Sequence, residues 1–117
     1  NDNRIPSGPA EPLAPNQDFS TPKLLTPTNF IDCCFTGYDG QGYFAWPASG
    51  VKVTYQTVNC SHLVFFNPPK PYFAMEPVTN ANNGVNLLAQ GDPTSGIRVL
   101  EPGGALVVRF TMQLELS

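Results

Sequence analysis

The chain has 117 residues, a formal net charge of −3 and only 13% charged residues, well below the ~25% usual in soluble domains. That length allows one domain with a modest core. The acidic balance, without any Lys/Arg cluster, argues against nucleic acid or an anionic membrane surface as partner. No apolar run approaches the ~20 residues needed to span a bilayer.

The opening stretch NDNRIPSGPAEPLAP has no hydrophobic signal region, so export is not expected. Cys33, Cys34 and Cys60 cannot all pair with one another, and Cys33 and Cys34 point to opposite faces if the backbone is extended. One histidine without further spaced thiols makes a poor zinc site. The expectation is reduced, mostly buried thiols in a cytoplasmic protein, with no metal and no cofactor.

In chain order, residues 1–22 hold Pro6, Pro9, Pro12, Pro15 and Pro22 with little periodicity, and read as an extended arm laid over something else. After Leu24 and Leu25, residues 29–35 form a short apolar run interrupted by Asp32. Residues 36–42 carry Gly37, Gly40 and Gly42, which marks a tight turn or hairpin. Tyr43–Trp46 ends at Pro47, and Ala48-Ser49-Gly50 turns the chain. Residues 51–57 alternate apolar and polar, the period of a strand with one buried face.

Further apolar runs follow at residues 60–66 and 72–76, separated by Asn67-Pro68-Pro69-Lys70-Pro71. Glu101-Pro102-Gly103-Gly104 supplies a turn before the last run. There Leu106, Val108, Phe110, Met112, Leu114 and Leu116 share one face, opposite Arg109, Thr111, Gln113 and Glu115. No segment shows a helical period. The predicted class is all-β, an antiparallel sandwich of short and long strands.

The stretch around which the chain is organised is Tyr72–Leu88. Glu76 ends an apolar run, is followed at once by Pro77, and precedes the polar segment Thr79-Asn80-Ala81-Asn82-Asn83-Gly84. A carboxylate at the point where a strand gives way to an irregular segment faces a cleft on a rigid support, as a general base requires. The same placement also suits a solvated acid at a strand end. Asp39, in an aromatic-Asp-Gly context, reads as a turn residue or a ligand, with the turn favoured. Tyr38 and Trp46 are candidates to stack on a ligand, although aromatics in a sandwich more often fill its core. His62, the single histidine, lies in a strand-like run and is expected at an edge or the surface.

Three motifs then point to a family. Asp32-Cys33-Cys34-Phe35-Thr36-Gly37-Tyr38-Asp39-Gly40 resembles its acidic-turn motif. Phe73-Ala74-Met75-Glu76-Pro77-Val78-Thr79 resembles its strand-end Glu-Pro motif, with Asn86 matching the Asn ten residues on. Leu100-Glu101-Pro102-Gly103-Gly104 resembles the turn into its final strand, and Ile5-Pro6-Ser7-Gly8 and Asp18-Phe19 fit the preceding segment. The chain thus resembles the C-terminal part of the aldose 1-epimerase, or galactose mutarotase-like, family.

The resemblance implies a share of a β-supersandwich that interconverts the α and β anomers of a free aldose. It places Glu76 at the catalytic base and Asp32 at the carboxylate that binds sugar hydroxyls, with Phe73 and Met75 expected to shield Glu76. Two acceptor oxygens on Asp32 suit a pair of vicinal hydroxyls. The family's general acid is a histidine of its N-terminal half, and His62 matches no catalytic position. The expected partners are therefore a hexose and either a missing N-terminal half or, through exposed strands, further copies of the chain. The alternative is a carbohydrate-binding or structural β-sandwich without catalytic activity.

Overall fold

The structure, a computed structural model, describes residues 10–117. Among these residues six strands form two three-stranded antiparallel sheets. The strands are β1 (Ile31–Thr36), β2 (Gln41–Trp46), β3 (Val51–Val58), β4 (His62–Asn67), β5 (Ala74–Val78) and β6 (Arg109–Leu116). One sheet has the order β1-β4-β5 and the other β2-β3-β6. The all-β, antiparallel, sandwich-like expectation holds.

Alternation along each strand decides what each sheet buries. In the β2-β3-β6 sheet, Val53 pairs with Phe44 and Leu114, and Tyr55 pairs with Gly42 and Met112. Cross-strand partners point to the same side, so these residues with Val51, Trp46, Phe110 and Leu116 make one apolar face. In the β1-β4-β5 sheet, Ile31, Cys33 and Phe35 share a face with Phe65 and Met75. The two apolar faces meet through Phe73, whose ring lies 5.9 Å from Phe65, 5.3 Å from Phe44 and 6.4 Å from Trp46.

From residue 10 onward the Pro-rich arm lies against the β1-β4-β5 sheet. Phe19 packs 5.4 Å from Phe65 and 6.4 Å from Phe35, and Gln17 Nε2 donates to Cys33 Sγ at 3.1 Å. The Ile5-Pro6-Ser7-Gly8 segment and the rest of the arm's first nine residues lie outside the described residues.

Two local expectations are corrected. Residues 36–42 do not close a hairpin, because β1 and β2 belong to different sheets. Left-handed backbone at Gly37 (φ 72°) and Gly40 (φ 88°) carries the chain across, and Thr57 N–H fixes the crossing by donating to Gly40 O at 2.6 Å. A Cβ on Gly40 would sit 2.7 Å from Thr57 O, so the crossing needs glycine twice over. The second correction is a short helix, α1 (Gly84–Ala89), after the Asn-rich segment. It has too few residues to display a helical period, and it buries only Gly84 and Leu87.

The core is small and one-sided. Ile31 and Leu87 are the most deeply buried apolar residues among the core set, while Phe110, Met112, Leu114 and Leu116 are 49%, 53%, 62% and 73% exposed. The radius of gyration is 15.8 Å, above the ~13 Å of a compact 100-residue domain. Among the described residues β6 pairs with β3 alone, and all eight of its residues are exposed.

Tyr55 makes two outcomes checkable. Its ring lies directly over Gly42, where any Cβ would collide with it. Gly42→Ala is expected to destabilise the fold by about 1–3 kcal/mol, the usual range for overpacking, read as a lower midpoint in urea. Burial also pushes the Tyr55 hydroxyl up to about 12, with Tyr38 and Asp39 adding to the shift. The folded state resists ionisation, so this stabilisation is complete below the ordinary tyrosine value of ~10 and is lost as pH rises through about 12. Urea titrations should show stability falling above pH ~9, first as the unfolded-state Cys33 thiol ionises and then, above ~10, as the tyrosines do. Tyr55→Phe should flatten the decline, leaving a smaller slope from Tyr38, which burial also raises.

Candidate functional site

The register of the β1-β4-β5 sheet places both candidate carboxylates on one face. Asp32 lies opposite Phe66, which lies opposite Ala74; Cys34 lies opposite Val64, which lies opposite Glu76. Asp32 and Glu76 therefore project from the two outer strands on the same side, both exposed, with half-buried Val64 and Phe66 between them. Phe30 meets the Phe66 ring edge-on at 6.1 Å. Two strand spacings across and two residues along separate the two backbone positions by on the order of 12 Å.

Val64 and Phe66 thus form a half-buried apolar floor between two exposed carboxylates, each able to accept hydrogen bonds. No motif in the sequence marks the floor residues Val64 and Phe66. Residues 63–66 read Leu-Val-Phe-Phe, apolar at every position, so no alternation shows which of them face the carboxylates.

Two expectations about this region change, and the alternatives left open for Tyr38, Trp46 and Asp39 are decided. Phe73 and Met75 do not shield Glu76. Met75 pairs with Phe65 on the opposite face, and the Phe73 ring is committed to the aromatic seam between the sheets. Alternation along β5 forces this, since residues 73 and 75 cannot share a side with residue 76. Tyr38 and Trp46 lie away from the carboxylate face: Tyr38 Oη accepts from Thr57 Oγ1 at 3.1 Å, and Trp46 packs on Phe44 and Phe73. Asp39 accepts from the Gln41 N–H at 3.1 Å, a turn-stabilising role.

His62 is the second correction. It is not at an edge or the surface but on the central strand, only 3% exposed. Nε2 lies 2.7 Å from Thr94 O, which can only accept, so this nitrogen carries a hydrogen. Nδ1 lies 2.7 Å from Ser61 Oγ, which is also 2.9 Å from Thr79 O. Gly96 (φ 73°) closes over the cluster, where a Cβ would fall 2.8 Å from His62 Cε1 and from Thr79 O. With both ring nitrogens engaged, His62 ties β4 to the loops around α1 and has no nitrogen left to protonate a ligand.

Thr94 is itself held by Asp92, whose Oδ1 accepts from Thr94 N at 2.8 Å and Thr94 Oγ1 at 2.7 Å, bonds that lower the Asp92 carboxyl below its ordinary value. Next to this cluster an open depression of about 530 Å³ runs along residues 78–85, lined by Val78 and the side chains of Asn80, Asn82 and Asn83. It begins two residues beyond Glu76 and does not include either carboxylate. Asn86 lies on α1 and donates to Asn83 Oδ1, so it faces that Asn-rich segment and not the acidic pair.

The three thiols are free, with Cys60 buried and Cys33 and Cys34 half-buried on opposite faces of β1. Among the described residues no three His, Cys, Asp or Glu side chains converge as a metal site, and no helix is long and apolar enough to cross a membrane. Compared with family models, characterised proteins and solved structures, the chain matches none.

Two outcomes are expected. Burial pushes the Cys33 thiol up, which lowers its thiolate fraction and hence its reaction rate at a given pH. A thiol reagent at pH 8 should label Cys33 more slowly in the folded chain than in urea, as resolved by peptide mapping. His62→Ala should destabilise the chain by about 1–3 kcal/mol, because it leaves buried partners unsatisfied. That loss is read from the urea midpoint.

Proposed function

We propose that the chain is the C-terminal part of an aldose 1-epimerase, acting in the cytoplasm on free hexoses. Glu76 is the base and Asp32 the sugar-hydroxyl ligand. The observation that carries the reading is that Asp32 and Glu76 share one face of the β1-β4-β5 sheet across the Val64–Phe66 floor. The three motifs of the resemblance and the free thiols are consistent with it.

In this mechanism the Glu76 carboxylate takes the proton of the C1 hydroxyl as the C1–ring oxygen bond breaks. An acid protonates the departing ring oxygen. Rotation about C1–C2 presents the other face of the carbonyl, and the reverse transfers close the ring and restore both groups. Proton transfer by a positioned group supplies about 10²–10⁴ in rate. His62 is closed to the acid's role by its two hydrogen bonds, so the acid comes from a complementing N-terminal half.

The second reading, a carbohydrate-binding sandwich without turnover, draws on one observation. Glu76 is exposed, and Phe73 and Met75 are turned to the opposite side of the strand.

Polarimetry on fresh α-galactose or α-glucose separates the two. The chain alone should show negligible mutarotation. Combined with a His-bearing N-terminal half of an aldose 1-epimerase, it should be active. In the active form Glu76→Gln should lower kcat by about 10²-fold or more with little change in KM, since the amide keeps the shape but cannot take the proton. Asp32→Asn should raise KM, because one acceptor becomes a donor. Near-normal turnover in Glu76→Gln would leave Glu76 a strand-end acid. Galactose binding by calorimetry, without turnover in the combined protein, would select the second reading.

A further inference from the structure

Strand β6 is the outer strand of its sheet, pairing among the described residues only with β3, and all eight of its residues are exposed. A row of unpaired N–H and C=O groups along a regular strand is a template for another strand. Its sequence, RFTMQLEL, says which strand fits. Laid antiparallel on a second copy of itself with Met112 opposite Met112, the strand sets Phe110 against Leu114, Thr111 against Gln113 and Arg109 against Glu115. Every pair keeps apolar with apolar and polar with polar, and the two ends bring opposite charges together.

Parallel pairing in register would set Arg109 on Arg109 and Glu115 on Glu115. A slip by one residue would put the apolar set on the polar face. Glu115 has a cation opposite it inside its own sheet, Lys52, but that ammonium is turned over the Tyr43 ring, 4.7 Å from its centroid. Glu115 is thus available to a cation arriving from the open side.

We infer that β6 is a homodimer interface: two copies join edge to edge about a two-fold axis at Met112, forming one six-stranded sheet. The contact is self-complementary and consumes the β6 edge of both copies, so it closes at two. Phe110, Met112 and Leu114, each about half exposed in one copy, gain cross-strand neighbours on the side that faces water across the open edge. The contact lies on the sheet that carries neither Asp32 nor Glu76.

Sedimentation velocity on the purified chain, with Arg109→Glu and Glu115→Arg, tests it. The wild-type chain should dimerise with concentration. Each single variant sets like charges opposite each other at both ends of the contact, and should raise the dimer dissociation constant about tenfold or more. An equimolar mixture of the two variants should recover association. In the mixed pair the carboxylate introduced in one copy meets the guanidinium introduced in the other, and at the opposite end native Glu115 meets native Arg109. Both positions are exposed, so far-UV circular dichroism should stay unchanged.

In the Met112→Cys chain, mild oxidation should give a 112–112 disulfide, identified by peptide mapping. A monomer at all concentrations, an association equal in both variants and their mixture, or a dimer without the 112–112 link each overturns the inference. So does a β6 edge occupied by a complementing N-terminal half with no dimer remaining.

Discussion

Phe73 stands between two sheets that share no strand. It precedes β5, and its ring reaches Phe65 on one side and Phe44 and Trp46 on the other. Aromatic rings bury large areas and interlock at preferred angles, so one residue can fix how two faces meet. Phe19 extends the cluster outward by packing on Phe35 and Phe65. Without this seam the β2-β3-β6 sheet would be held mainly by its three chain crossings: at Gly37–Gly40, at Asn59, which also has left-handed backbone (φ 67°), and through the long segment between β5 and β6.

The seam sets the character of both outer regions. Because residues 73 and 75 turn toward it, residues 74 and 76 must turn away, which puts Glu76 in the open beside the Val64–Phe66 floor. On the far side, the seam reaches β2 and the near part of β3 but not β6. Val53 and Tyr55 are buried while their partners Leu114 and Met112 remain largely exposed. An apolar face supported along only part of its width leaves the chain with a one-sided core. The His62 cluster works differently. It is a polar lock, with Thr94, Ser61 and Thr79 satisfying one another at the end of the carboxylate face.

Strand content is plain in the sequence wherever a face alternates cleanly. β3 and β6 show this best, and the apolar set of β6 is the one that alternation names, Phe110, Met112, Leu114 and Leu116. The turns are also legible, because Gly50 and Gly103 sit where left-handed backbone is needed. The six-residue helix is not, since so short an element shows no period. For the candidate site, motif and context name Asp32 and Glu76. That they share a face depends on both strands pairing with β4 in a particular register, which no local pattern encodes.

Local chemistry thus determined that this chain is all-β, which residues face the same way within each strand, and where the backbone bends. Tertiary structure decided what those faces meet. It divided the strands so that β1 and β2, adjacent in the chain, lie in different sheets. It buried His62 on a central strand and set the Phe73 ring against Phe44 and Trp46 of the other sheet. The physical reason is the range of the forces involved. Alternation and glycine conformation act over two to four residues, whereas register, burial and the partner of a polar atom are fixed by segments tens of residues apart, as when Thr94 O meets His62 Nε2.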